Sequence, residues 1–280
     1  MWAICSDMKR FLWLAALCAA LLSVSCKQTL PPEEDPKVNC LLEMPEIADG
    51  LVLHSQSFFY SGRMIRNYAY GWDSDAHLAH WVAYPLCGLY TMKNVSRGDN
   101  WAYDPQIPES EQASKFSGYD RGHQIPSADR LCCTQANDQT FYYSNMTPQK
   151  AVFNQEIWNE FEQSVRVWAS SCDTLYVVTG CDVQGVTARN NGTLIPKGYY
   201  KALLGYKRGS KWGDYFAMGF YFEHRTDYGQ PYEWKSFAMS IKDLETLLGE
   251  NFFVSLPLVV GEQKAAEIEA AEPSDGKWWL

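Results

Sequence analysis

Two short stretches carry residue types that could do chemistry on a phosphate ester. The first is Tyr119-Asp120-Arg121-Gly122-His123, which sets a histidine two residues after an arginine. Histidine is the side chain best suited to take up a proton near neutral pH. A neighbouring arginine can bind the phosphate whose cleavage that base serves. The second is Ser144-Asn145-Met146-Thr147-Pro148-Gln149, which runs into Phe153-Asn154-Gln155-Glu156-Ile157-Trp158-Asn159-Glu160-Phe161-Glu162. It offers one asparagine before a helix, a second at its start and a glutamate further along it.

The helix must decide what these polar groups can reach. At 100° per residue from a start near Asn154, the residues Ile157, Trp158, Phe161, Val165 and Trp168 fall within about 60° of Asn154, while Gln155, Glu156, Asn159, Glu160, Gln163 and Arg166 point elsewhere. Asn154 therefore opens the buried face, and a helix cap is its alternative reading. Glu162 lies about 80° round and roughly 12 Å along the axis, too far to share a first coordination shell with Asn154. The end of a strand that turns is the expected setting of His123. An Asp-Asn-Trp loop carries Arg97 ahead of it, in Arg97-Gly98-Asp99-Asn100-Trp101.

Taken together, Asp120-Arg121-Gly122-His123-Gln124-Ile125-Pro126, Ser144 to Gln149, and Asn154-Gln155 with Trp158 and Glu162 resemble the DNA/RNA non-specific endonuclease family over roughly residues 51–257. The resemblance implies an α+β fold, a mainly antiparallel central sheet flanked by helices, with a ββα-metal catalytic motif. It implies His123 as general base and Asn154 as the single protein ligand of Mg²⁺, with Mn²⁺ as a substitute. Arg121 and Arg97 would meet phosphate, Glu162 would hold metal-bound water, and Asn145 would support the site from behind. The implied activity is hydrolysis of DNA and RNA to 5′-phosphate ends. A surface binding protein that keeps the fold without catalysis, and a phosphodiesterase acting on other substrates, are the alternatives.

The rest of the chain frames this centre. A net charge of −9 over 280 residues is awkward for binding nucleic acid, so positive charge must be concentrated at the site. Lys9 and Arg10, the apolar run Phe11 to Leu22 and the small residues before Cys26 read as an export signal over residues 1–25. Cys26 after small residues resembles a lipidation site. The expectation is a protein exported from a bacterial cell and anchored to a membrane at Cys26, with plain secretion as the alternative. Met8 is a second candidate start. A Pro- and acid-rich tether is expected over 26–45, one nuclease domain over 46–260 and a short tail over 261–280. Oligomeric state stays open, a homodimer included.

In an exported chain, Cys40, Cys87, Cys132, Cys133, Cys172 and Cys181 read as up to three disulfides. A strand over Thr174 to Thr179 argues against pairing Cys172 with Cys181. Further strands are expected at Leu51 to Tyr60, Asn67 to Gly71, His80 to Cys87, Tyr199 to Tyr206 and Tyr215 to Tyr221, with a hairpin turn at Ser61-Gly62-Arg63. A capping box at Ser240 to Asp243 should start a helix that Gly249 ends. His77 and His80 read as ordinary histidines rather than metal ligands.

Overall fold

The computed structural model describes residues 41–210 and 213–273. The expected export signal, Cys26 and Cys40 lie outside the described residues. Among the described residues eleven strands follow in chain order: β1 Val52–Tyr60, β2 Arg63–Asp73, β3 Leu78–Leu86, β4 Asp120–His123, β5 Met146–Gln149, β6 Thr174–Asp182, β7 Arg189–Asn190, β8 Thr193–Leu194, β9 Gly198–Tyr206, β10 Tyr215–Glu223 and β11 Ala238–Met239. Seven of them form one antiparallel sheet in the order β1-β2-β3-β6-β9-β10-β11. The expected hairpin between β1 and β2 turns at Ser61 and Gly62, whose φ values of 48° and 83° suit the twist of the two strands.

The sheet is buried on both faces, and its side chains alternate with a period of two. On one face Val82, Tyr84, Val177, Tyr199, Leu203 and Phe220 pack with Phe153, Ile157, Trp158, Phe161 and Val165. The latter group lies on the helical stretch over residues 151–170. On the other face Trp81, Ala83, Val178, Tyr200, Ala202 and Leu204 meet Ile241, Leu244, Leu248, Ala265 and Ile268.

The helices are α1 Gly88–Thr91, α2 Thr134–Gln139, then α3, followed by α4 Ile241–Leu248, α5 Leu256–Val260 and α6 Glu262–Glu269. Three segments run on without a break as α3: Ala151–Phe153, a wide π-helical turn over Asn154–Trp158, and Asn159–Ser170. Helix α4 starts as its capping box requires, with Ser240 Oγ accepting from the Asp243 amide at 3.0 Å, and it ends on left-handed Gly249.

Two boundaries differ from expectation. Leu42 and Met44 are buried in the second cluster, so residues 41–45 belong to the packed body rather than to a tether. Past 260, Ala265 and Ile268 of α6 are buried in the same cluster, because the Ala- and Glu-rich tail has an apolar stripe to bury.

The expected disulfides are not found among the described residues: Cys87, Cys132, Cys133, Cys172 and Cys181 are free thiols. Cys181 lies within β6 and points its Sγ at the Ala79 carbonyl, whereas Cys172 precedes that strand with its Sγ at Trp168 O. Each is held by local packing and hydrogen bonding rather than facing a second sulfur. No helix among the described residues is long and apolar enough to cross a membrane.

Candidate active site

The hairpin of β4 and β5 stands apart from the large sheet, with Asp120 opposite Gln149 and His123 opposite Met146. Helix α3 follows β5 after one residue, so the two sequence motifs are adjacent strands and the helix leaves from their end. The strand pair favours glycine at 122, since a Cβ there would lie 2.1 Å from Cδ of the buried Gln149.

A cleft of about 810 Å³ opens between the hairpin, α3 and the loop before β4. Arg97, Arg121, His123, Asn154 and Glu162 all line it. Asn145 does not. It is 1% exposed, its Nδ2 donates to Ile125 O and Thr140 O, and its Oδ1 accepts from the Ile125 amide at 3.0 Å. Its side chain is spent on fixing the chain that leaves His123.

The π-turn corrects the helical reading. The helix starts at Ala151, so Asn154 lies inside it, its amide donating to Lys150 O, and is not a cap. A π-turn takes in one residue more than an α-turn, which turns the following helix back by about 100°. Glu162 therefore comes to about 20° from Asn154 rather than 80°. Asn159 and Arg166, expected to point elsewhere, line the cleft with them, at spacings of five, three and four. Trp158 is turned fully into the core against Phe153 and Tyr199.

Asn154 is oriented by Asp120. Asp120 Oδ2 accepts from Asn154 Nδ2 at 3.0 Å and from Gln155 Nε2 at 2.8 Å. A carboxylate only accepts, so it selects the NH₂ side of the amide and leaves Asn154 Oδ1 without a hydrogen bond among the described residues. An uncharged hard oxygen in a cleft with few carboxylates suits a cation that keeps most of its water, such as Mg²⁺. No group of three or more His, Cys, Asp or Glu residues capable of holding a metal occurs among the described residues. A site built on Asn154 needs none.

His123 is flanked by the rings of Trp101 and Phe141, both edge-on, at 5.5 and 5.2 Å between centroids. Its Nε2 is buried and has no hydrogen-bond partner among the described residues. In the neutral ring with its proton on Nδ1, Nε2 is a free acceptor. Burial first, then the charges of Arg97 and Arg121, push the imidazole down to about 3. Arg121 lies over the Trp101 indole at 3.6 Å, and Arg97 over Phe141 at 5.3 Å.

Behind the cleft wall, Arg166 Nη1 meets Asp129 Oδ1 at 2.9 Å, and Asp129 Oδ2 accepts from Tyr84 Oη at 3.0 Å. Burial raises the Glu162 carboxyl, and the Lys201, Arg166 and Arg97 charges oppose that rise. Lys115, Arg97, Arg121 and Arg166 against Asp120 and Glu162 make the cleft net positive on an acidic chain. Sequence reasoning assigned no role to Asp120, Trp101 or Lys115 and turned Asn159 and Arg166 away. Asp120 stands in the Asp-Arg-Gly-His motif and Trp101 in the Arg97 loop, but the π-turn leaves no mark in residue type.

An imidazole with an open acceptor nitrogen among arginines, beside an amide oxygen and a carboxylate on one helix face, is the set of groups a phosphodiester hydrolase needs. The model of the DNA/RNA non-specific endonuclease family matches residues 61–258, and the chain belongs to that family. It is 29% identical over 259 residues to a nuclease of Nostoc sp., covering 86% of this chain and 91% of that one. It is 26% identical to the mitochondrial nuclease EXOG of Xenopus laevis, covering 93% of this chain and 77% of the relative. The fold is similar to that in the crystal structure of the EndoG/EndoGI complex, with a TM-score of 0.59 at 24% identity over 70% of this chain and 85% of that one.

Proposed function

We propose that this nuclease is a Mg²⁺-dependent endonuclease that hydrolyses both DNA and RNA to 5′-phosphate ends, exported and held at a membrane through Cys26. The observation that carries the reading is the partnerless Nε2 of His123, in the same cleft as Arg97, Arg121, Asn154 and Glu162.

A scissile phosphate bound between Arg97 and Arg121 places its negative charge beside His123. That charge offsets the two guanidiniums and raises the proton affinity of Nε2 where it is needed. His123 then takes the proton of the attacking water, and the rings of Trp101 and Phe141 hold the imidazole in place. Asn154 Oδ1 is the protein ligand that would hold Mg²⁺. When bound, the ion neutralises charge on the phosphate and on the departing 3′ oxygen. Glu162, on the same helix face, would orient water held at such an ion, and Arg166 gives the cleft further positive charge. Asn145 and Asp120 keep the two halves of the site in register.

The test is cleavage of plasmid DNA and of RNA by the chain from Lys27 onward in Mg²⁺, beside His123→Ala. Loss of at least about 100-fold in the variant is expected for removal of a general base. Equal cleavage by the two, or none by the wild-type chain with any divalent metal, overturns the reading.

A further inference from the structure

Lys201 is 0% exposed at the middle of β9, on the sheet face that packs against α3, between Tyr199 and Leu203. Its Nζ donates to Thr179 Oγ1 at 3.0 Å, directly across the β6/β9 pairing. The same Nζ lies 4.8 Å from the centroid of Trp158. Among the described residues only one of its three N–H donors has a hydrogen-bond partner, and it has no carboxylate within salt-bridge distance. Lysine is almost never fully buried unless paired, and a packing role would be met without a charge.

Its surroundings say what the charge faces. Trp158 is one helical turn before Glu162, so the ammonium lies under the part of α3 from which Glu162 reaches the cleft. The charged and titratable groups acting on Glu162 are Lys201 from β9, Arg166 from α3, Asp129 from the segment after β4, Arg97 from the cleft loop and Tyr84 from β3. Arg166 is already paired to Asp129, and Tyr84 hydrogen-bonds to that same carboxylate. Among the described residues Lys201 and Arg97 are the cations in this group without a carboxylate of their own, and of the two only Lys201 is buried; Glu162 is the carboxylate left without a bonded cation.

We propose that Lys201 is the positioning residue of Glu162: from beneath α3, out of reach of substrate, its ammonium keeps the Glu162 carboxylate ionised and directed into the cleft. Electrostatic coupling between the two is mutual. Lys201 raises the acidity of Glu162, and Glu162 supports the charge on Lys201. The inference rests on the catalytic reading of Glu162 only for its effect on turnover. The ionisation of Glu162 can be read without turnover.

The experiment compares wild type with Lys201→Met, which keeps the length and removes the charge, and Lys201→Arg, which restores a cation. Glutamate-selective ¹³C labelling, with Glu162→Gln to assign the resonance, reads the titration of Glu162 directly. Expected is a rise of its midpoint by about one pH unit or more in Lys201→Met, the size set by loss of a nearby opposite charge, with Lys201→Arg close to wild type. In cleavage of a single-stranded oligonucleotide, the acid limb of kcat should move up by the same amount while KM changes less than about twofold. A folded Lys201→Met with an unmoved Glu162 titration overturns the proposal. If Lys201→Met does not fold, Thr179→Val removes the hydrogen bond that places Nζ. A measurable shift of Glu162 in Thr179→Val is then expected, and none overturns the proposal. Absence of cleavage by wild type would count against the nuclease reading alone, because the titration still decides this one.

Discussion

Asp120 Oδ2 accepts a 3.0 Å hydrogen bond from Asn154 Nδ2, and this contact decides which atom of the asparagine faces the cleft. Strand β4 and helix α3 are thereby tied at the point where a metal would bind. Asp120→Ala is expected to free the amide to rotate and to weaken Mn²⁺ binding about 10- to 100-fold, the range typical for loss of a group that orients a ligand. Isothermal titration calorimetry reads this without substrate. Unchanged Mn²⁺ affinity would show that Asp120 serves only the hairpin.

The π-turn makes a second prediction. Glu156 is exposed, and deleting it removes the extra residue of the wide turn. The segment from Phe161 to Ala169 is locked into the core, so the shift must fall on the first turns and carry Asn154 round by about 100°. Helix content by circular dichroism should be retained and cleavage should drop at least about 100-fold, the cost of a misplaced site residue. Full activity in the deletion would mean that the helix face does not matter.

The third concerns pH and stability. His224 is 7% exposed, accepts from the Lys150 amide at 2.7 Å and bonds Pro196 O at 2.8 Å, and burial holds its imidazole down to about 4. The unfolded chain takes up that proton near pH 6.5, so it binds more protons than the folded state between about 6.5 and 4, and stability falls as pH falls through that window. His123 acts in the same direction, down to about 3. Glu269, raised to about 7 by burial and by Glu245 and Glu262, acts in the opposite direction, as does Glu162. The clean measurement is therefore a difference. Between pH 7 and 4, wild type should lose about 3 kcal/mol more than His224→Gln in urea unfolding. Parallel pH slopes for the two proteins would refute it.

What the sequence determined by itself was local or periodic. Runs of aromatic and β-branched residues between turn-like pieces placed β3, β6, β9 and β10. Ser61-Gly62 and Ser240 to Gly249 set a turn and a helix through their own backbone preferences. The two motifs around His123 and Asn154 were legible because motif residues are close along the chain.

Tertiary structure decided everything that depends on contacts across the chain. An ideal helical wheel has no place for the extra residue of the π-turn over Asn154–Trp158. For that reason Asn159 and Arg166 were turned away and Glu162 was placed 80° off. The Asp120–Asn154 contact spans 34 residues, and the Lys201–Thr179 contact 22. Neither leaves a local signal, because a carboxylate in a strand or a lysine among aromatic residues reads the same whether it faces solvent or lies beneath a cleft. Pairing of strands and docking of α3 bring those groups together, and burial then gives their charges a strength that exposure would screen away.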